Sequence, residues 1–175
     1  MTGSRRYSLL LLLPLLAGAC ATPAPAPPPI LSLDGRDCAP ALRLDLAQPL
    51  VIDTKAGAPN IIDGAAACWQ HEDGTRSAYL VFQLPASEAP YLVSVDSVPQ
   101  GSSLFSPLVV LLDSRGLVLR TLPRETFLFR GISLAVVLRV HPAERYLVVA
   151  SDPPTVGQRI SRIAGGTQVS GAMGG

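Results

Sequence analysis

Residues able to do acid–base, nucleophilic or metal chemistry are few in this chain, and they do not cluster. There are two histidines, His71 and His141, and both fall in stretches that read as turns. His71-Glu72-Asp73 would offer a cation three neighbouring side chains, but hard cations want several converging oxygens. With Gly74 following, the stretch reads better as a solvated turn. Ser77, Ser94 and Ser133 lie in strand-like runs without a Gly-x-Ser-x-Gly frame, so none is set up as a nucleophile beside a base. Asp34, Asp37, Asp45, Asp53, Asp63 and Asp96 are scattered as turn and strand-edge residues rather than paired carboxylates. No glycine loop that could cradle a phosphate leads into a long helix. This reading gives no catalytic residues, no cofactor and no metal, and the chain is expected not to be an enzyme.

Cysteine carries the remaining chemistry. The chain has three, Cys20, Cys38 and Cys68. Cys20 follows Leu16-Ala17-Gly18-Ala19 at the end of an apolar run from Leu9, which is preceded by Arg5 and Arg6. A basic start, a short apolar core and small residues at the end describe a secretory signal peptide over residues 1–19. At about 1.5 Å per residue the run reaches roughly 16 Å, short of the roughly 30 Å needed to span a bilayer. The cysteine placed directly after the small residues resembles the lipobox of bacterial lipoproteins, which implies a diacylglycerol on Cys20. The alternative is ordinary cleavage after Ala19 or Ala21 and a soluble secreted protein. Ser4-Arg5-Arg6 also fits a twin-arginine signal, although the leucine-rich core and the missing downstream basic residue tell against it.

With Cys20 lipidated, Cys38 and Cys68 remain as an even pair in an oxidising compartment, and a bridge between them is expected. It would close a loop of about 31 residues and stabilise by roughly 3–4 kcal/mol on chain-entropy grounds. Two buried free thiols are the alternative. Between Cys20 and the domain, Ala21–Pro29 holds five prolines in nine positions. Proline fixes φ and lacks a donor, so residues 20–30 read as an extended tether reaching up to roughly 28 Å from the anchor. A proline-rich docking motif is the competing reading.

Charge excludes other partners. The chain has 14 basic and 13 acidic side chains; removing residues 1–19 takes Arg5 and Arg6 and no acid, leaving 12 and 13. Lys55 is the one lysine, and the arginines are spread singly. Neither a nucleic-acid footprint nor a polybasic membrane patch is present.

The elements that must carry these residues are strands. Pro107–Leu122 reads as a β-hairpin about Asp113-Ser114-Arg115-Gly116. Leu108–Leu112 lacks polar alternation, which predicts cover on both faces, whereas Arg120 and Thr121 put the second strand nearer an edge. Alternation predicts further strands at Leu42–Leu46, Leu50–Asp53, Ser77–Leu84 and Tyr91–Val95, the last two pairing or neighbouring one another. Thr126–Phe129, Ser133–Val140 and Tyr146–Ala150 complete the set. Thr54–Arg76 reads as irregular, with Trp69 packed on the domain. Thr155-Val156-Gly157-Gln158 has the form of a capping box, and Val156, Ile160 and Ile163 fall at helical spacing, which predicts one short C-terminal helix. The expectation is a single all-β antiparallel sandwich of jelly-roll or Ig-like type over residues 31–164, followed by a Gly-rich disordered tail over 165–175.

Phe82-Gln83-Leu84-Pro85-Ala86, Tyr91–Ser97, Leu104-Phe105-Ser106-Pro107, Val110-Leu111-Leu112-Asp113, Phe127 and Arg145–Val149, in that order, resemble the periplasmic maltose-operon protein family. The resemblance covers roughly residues 77–151, and the cysteine pair lies outside it. It implies a non-enzymatic periplasmic protein accessory to carbohydrate uptake or binding, and it brings no catalytic residues with it. Trp69 and Tyr79 are the candidate ligand-contact residues, since an exposed aromatic platform favours sugar binding. The rival reading is an envelope scaffold or assembly lipoprotein acting through protein contacts; a third is an enzyme whose site the sequence hides. The expected location is the periplasm, on an outer membrane engaged through the lipid, because residue 21 is alanine rather than the aspartate of a retention signal. The alternative is a soluble periplasmic protein.

A Cys20→Ala variant is expected to lose metabolic palmitate labelling and to move to the soluble periplasmic fraction. An unmutated protein that takes up no label and is already soluble would show ordinary secretion instead.

Overall fold

The computed structural model describes residues 31–51, 59–158, 163–164 and 167–168. The signal segment, Cys20 and the tether lie outside the described residues. The fold is an all-β, sandwich-like pair of sheets. Strands β1 (Gln48–Pro49), β2 (Ala67–Gln70), β3 (Arg76–Gln83), β5 (Pro107–Leu112), β6 (Val118–Leu122) and β9 (Tyr146–Ser151) form the large sheet. Its order is β1-β3-β9-β5-β6, with β2 beside the first half of β3. Strands β4 (Tyr91–Ser97), β8 (Ser133–Val140) and β7 (Leu128–Arg130) form the small sheet, in the order β4-β8-β7. All pairings are antiparallel except β1 with β3, which is parallel.

The large sheet is apolar on both faces because its strands carry unbroken aliphatic runs. Val109, Leu111, Leu147 and Leu84 point to one face and pack against Leu134, Leu138, Val140 and Phe127 from the small-sheet side. On the opposite face lie Tyr79, Val81, Val110, Leu112, Val148 and Ala150, covered by Leu42, Leu44, Ala47 and Trp69. The absence of polar alternation in Leu108–Leu112 thus has its expected meaning: β5 is covered on both sides. β6 ends the sheet, as its Arg120 and Thr121 suggest.

Two hairpins close by the same local chemistry. In Asp113–Leu117 the Asp113 carboxylate accepts from the N–H groups of Arg115 (2.8 Å) and Leu117 (2.9 Å). In His71–Thr75 the Asp73 carboxylate accepts from the N–H (2.9 Å) and hydroxyl (2.6 Å) of Thr75. Each loop has glycine in its fourth place at positive φ, +83° for Gly116 and +81° for Gly74, a conformation that costs other residues strain. Gly116 is constrained twice, since an added Cβ would come 2.9 Å from Leu44 Cδ1 of the cover.

Several local expectations need correction. Leu42–Leu46 is not a strand: a 3-10 turn spans Leu44–Leu46, and Leu42 and Leu44 use their period-2 spacing to lie across the sheet face. Gln48–Pro49 forms a strand just before the one expected at Leu50–Asp53, with the Leu50 N–H donating to Gln83 O at 2.9 Å; Leu50 and Val51 are not in a strand, and Ile52 and Asp53 lie outside the described residues. The irregular region contains β2, which pairs with β3 from Ala67↔Tyr79 to Gln70↔Arg76. β3 and β4 do not neighbour one another, because β9 occupies one flank of β3 and β1 with β2 occupy the other. The strand expected at Thr126–Phe129 begins later, at Leu128, after a 3-10 turn over Arg124–Thr126.

The C-terminal helix is also overturned. Pro153–Thr155 makes a 3-10 turn, Gly157 sits at φ +78°, which ends any right-handed turn, and Ile163–Ala164 pairs as a strand with Thr167–Gln168. Those last residues fall in the segment expected to be disordered; Ile160 and the rest of 165–175 lie outside the described residues.

Cys38 and Cys68 stand at disulfide distance, with Cα atoms 4.7 Å apart, and both are buried. Beside them, the Ala39 N–H donates to Cys68 O (3.1 Å), and Ala39 O accepts from the Gln70 N–H (2.9 Å). The cysteine pair therefore fastens the start of the cover to β2. Thiol labelling of the exported protein without reductant, native and then denatured, is expected to find neither Cys38 nor Cys68. Labelling of both on denaturation would show free buried thiols.

Candidate functional site

The hairpin joining β2 to β3 brings His71 back onto Ser77, with His71 Nε2 2.7 Å from Ser77 Oγ. That is nucleophile–base distance, and sequence spacing alone missed it. The signal was the register of a short hairpin, which sets the residues flanking its loop side by side. The surroundings decide what the pair can do. Ser77 is fully buried, at 0% exposure, and its hydroxyl donates to Ser151 O at 2.6 Å. Its one proton is therefore committed to a carbonyl, and His71 must present Nε2–H to it as a donor. A histidine that donates to a serine is not its base, and a serine without access to solvent meets no substrate. Ser151 continues the network by accepting from the Ala78 N–H at 3.0 Å. The arrangement fixes β2, β3 and β9 at one end of the sheet.

His71 also lies against Trp69, ring centroids 3.8 Å apart. Burial holds the imidazole below its ordinary range, and Asp73 opposes that only in part. The cation reading of His71-Glu72-Asp73 finds no converging donors. His71 Nε2 faces Ser77, and Thr75 occupies one oxygen of Asp73, holding that carboxylate below its ordinary range. Among the described residues no group of three His, Cys, Asp or Glu side chains could hold a metal ion. His141 is exposed and contributes its backbone N–H to Glu144 (2.7 Å). Ser94 is exposed and bonded to Asp96, and Ser133 opens β8; neither meets a histidine.

A second polar network joins the two sheets. Glu144, 4% exposed, receives the Arg120 guanidinium through Nε at 2.6 Å and Nη2 at 3.2 Å, while Arg120 Nη2 also donates to Arg139 O. Glu144 is the buried member and Arg120 is partly exposed, so removing Arg120 strands the buried carboxylate, whereas removing Glu144 leaves an arginine that water can reach. The network clamps β6 to β8. Arg36 Nη1 and Arg145 Nη1 are buried without a hydrogen-bond partner. Neither lines either of the two surface depressions described next.

Of the aromatic candidates, Trp69 and Tyr79, the first lines a groove and the second does not. Tyr79 is 1% exposed, and its hydroxyl accepts from the Arg43 N–H at 2.9 Å beneath the cover. The ligand-contact reading of Tyr79 is therefore corrected: its ring packs in the sheet's covered face because that position of β3 points away from the small sheet. Trp69, half-buried, joins Pro40, Leu42, Leu44, Leu112 and Val118 around a groove of about 380 Å³. Arg115 at its rim is drawn to Asp113 at 3.3 Å. A shallower depression of about 570 Å³ lies between Leu31–Asp34, Gly74–Arg76, Pro153 and Val156. The groove is mainly apolar, with no set of side-chain donors and acceptors aimed into it.

No family model, curated protein or solved structure matches this chain.

Ser77→Ala is expected to leave His71 Nε2 and Ser151 O without a partner and to lower stability by about 1–3 kcal/mol in urea unfolding. Because the folded pKa of His71 lies below its unfolded value of about 6.5, the unfolded chain takes up the proton first. The stability from neutral His71 is present above the unfolded pKa and lost as pH falls through the folded one. Thermal melts should therefore climb with pH just below 6.5, and His71→Asn should flatten that slope.

Proposed function

We propose that this chain is a non-catalytic accessory module of the periplasm, tethered to the outer membrane through lipid on Cys20, that works by contact with another envelope protein. The observation that carries the reading is the groove at Trp69. Its lining of Leu42, Leu44, Leu112, Val118 and Trp69 offers apolar burial and shape, while Arg115, the one charged side chain around it, is already held by Asp113. Such a lining suits an aliphatic side chain from an extended partner segment. The groove adjoins β6, the end strand of the large sheet, through Val118.

The resemblance to maltose-operon proteins supports a second reading, in which the ligand is carbohydrate. Trp69 in the groove favours it, because a sugar ring stacks on an indole. The burial of Tyr79 and the lack of converging polar side chains weigh against it, since sugars need hydrogen-bond partners as well as a stacking face.

Affinity capture from envelope extract is expected to recover a stoichiometric protein partner that Val118→Asp abolishes at the parental melting temperature and that Trp69→Ala also abolishes, at a temperature where its lowered melting curve still shows folded protein. Calorimetry with maltodextrins is expected to give no saturable heat. Saturable sugar binding lost in Trp69→Ala would establish the carbohydrate reading, and turnover of a substrate would overturn both.

A further inference from the structure

Among the described residues five strands of the two sheets lie at edges, and four of them are poor templates for another chain; the four-residue β2 is one, its outer side taken up by backbone hydrogen bonds with Ala39. β1 is two residues long and β7 three, and β6 carries a register shift opposite Leu111/Leu112. Short and bulged edges are the usual protection against edge-to-edge association. β4 lacks that protection. It runs from Tyr91 to Ser97 in unbroken register with β8, contains no proline, and among the described residues has no strand on its other side.

The direction of its free groups follows from β8. Arg139 O turns to the Arg120 guanidinium, so the Arg139↔Leu92 pair is of the non-hydrogen-bonded kind. Alternate residues then repeat the pattern, and Leu92, Ser94 and Asp96 aim their N–H and C=O groups at the open edge. Their side chains also share the outer face of the small sheet, beside Arg139, Val137 and Ala135 respectively. Leu92 is 66% exposed and Val137 43%. Asp96 and Arg139 are opposite charges on this face, and neither is in an ion pair among the described residues. Their rows lie four residues apart along β4, roughly 13–14 Å, too far to meet within one molecule.

We propose that two copies of the chain pair antiparallel through β4, about a two-fold axis at Ser94, to make one continuous six-stranded sheet. Ser94 then faces Ser94 of the second copy, and Leu92 faces the second copy's Asp96. Arg139 comes two strand spacings, roughly 9–10 Å between Cα atoms, from that aspartate, within the joint reach of the two side chains. The axis generates this contact twice, as an isologous interface requires. Leu92 and Val137 of each copy flank the Ser94 pair diagonally, and each strand's free N–H and C=O groups find partners. This face belongs to the small sheet rather than to the Trp69 groove, and the pairing does not require lipid on Cys20.

The test is cross-linking of the mature full-length chain. With Cys38 and Cys68 bridged, Ser94→Cys introduces a thiol that meets its own copy at about 5.5 Å between Cα atoms, within disulfide range. Mild oxidation should give a covalent dimer. Leu92→Cys, whose two copies would stand well over 10 Å apart, should give none. In the Ser94→Cys background, Asp96→Arg or Arg139→Asp should each lower the dimer yield roughly tenfold, and the double reversal should restore it. Melting curves of every variant separate loss of pairing from loss of fold. Equal cross-linking from Ser94→Cys and Leu92→Cys, or a double reversal no better than the single ones in folded protein, would overturn the proposal.

Discussion

A sheet that is apolar on both faces needs two covers, and every other part of this molecule answers that need. β5 and β9 lie at its centre, and their side chains alternate between two separate clusters of buried residues. One cover is the small sheet. The other is a short irregular segment, Leu42–Ala47, with Trp69 beside it. Leaving either face in water would expose several large aliphatic side chains, each worth about 1.5–3 kcal/mol when buried. The polar features follow from the same constraint. The Cys38–Cys68 pair and Ala39 fasten the irregular cover, Arg120 and Glu144 clamp the sheets together, and His71, Ser77 and Ser151 fix one end.

The most reactive-looking pair in the molecule is thus part of its architecture. His71 and Ser77 show why distance between a histidine and a serine does not establish a catalytic role. The proton count settles the matter: a hydroxyl donating to Ser151 O can only accept from the imidazole. The same economy applies to Tyr79, whose hydroxyl satisfies the Arg43 N–H, so that the cover lies on the sheet without an orphaned donor.

Much of this was legible in the residues. The two-faced burial of β5, the turn at Asp113–Gly116, the alternation of β4 that packs Tyr91, Val93 and Val95 against the core, and the cysteine pair all follow from local patterns. What was not legible depends on which element lies beside which. Leu42, Arg43, Leu44 and Asp45 alternate as a strand would, yet the leucines answer to a sheet surface rather than to a neighbouring strand. Ser77–Leu84 and Tyr91–Val95 are adjacent in sequence and unpaired, because β3 already has neighbours on both flanks drawn from distant parts of the chain. Val156 and Ile163 show helical spacing that Gly157 at positive φ interrupts. Trp69 could be placed on the domain from its type, but its place at a groove needed Pro40, Leu112 and Val118 to arrive from three other segments.

The cover differs from the sheet beneath it in how it is held. The sheet is a ladder of mutually supporting strands, whereas residues 39–47 depend on a cysteine pair, a few backbone hydrogen bonds and the seating of Leu42 and Leu44. Local opening follows the less supported units, and among the described residues this segment is held by fewer ladder hydrogen bonds than the sheet beneath it. It is also the part that the Cys38–Cys68 pair fastens. A chain not yet oxidised would carry a formed sheet with Tyr79, Val110, Leu112 and Val148 intermittently bare, the kind of surface that chaperones hold.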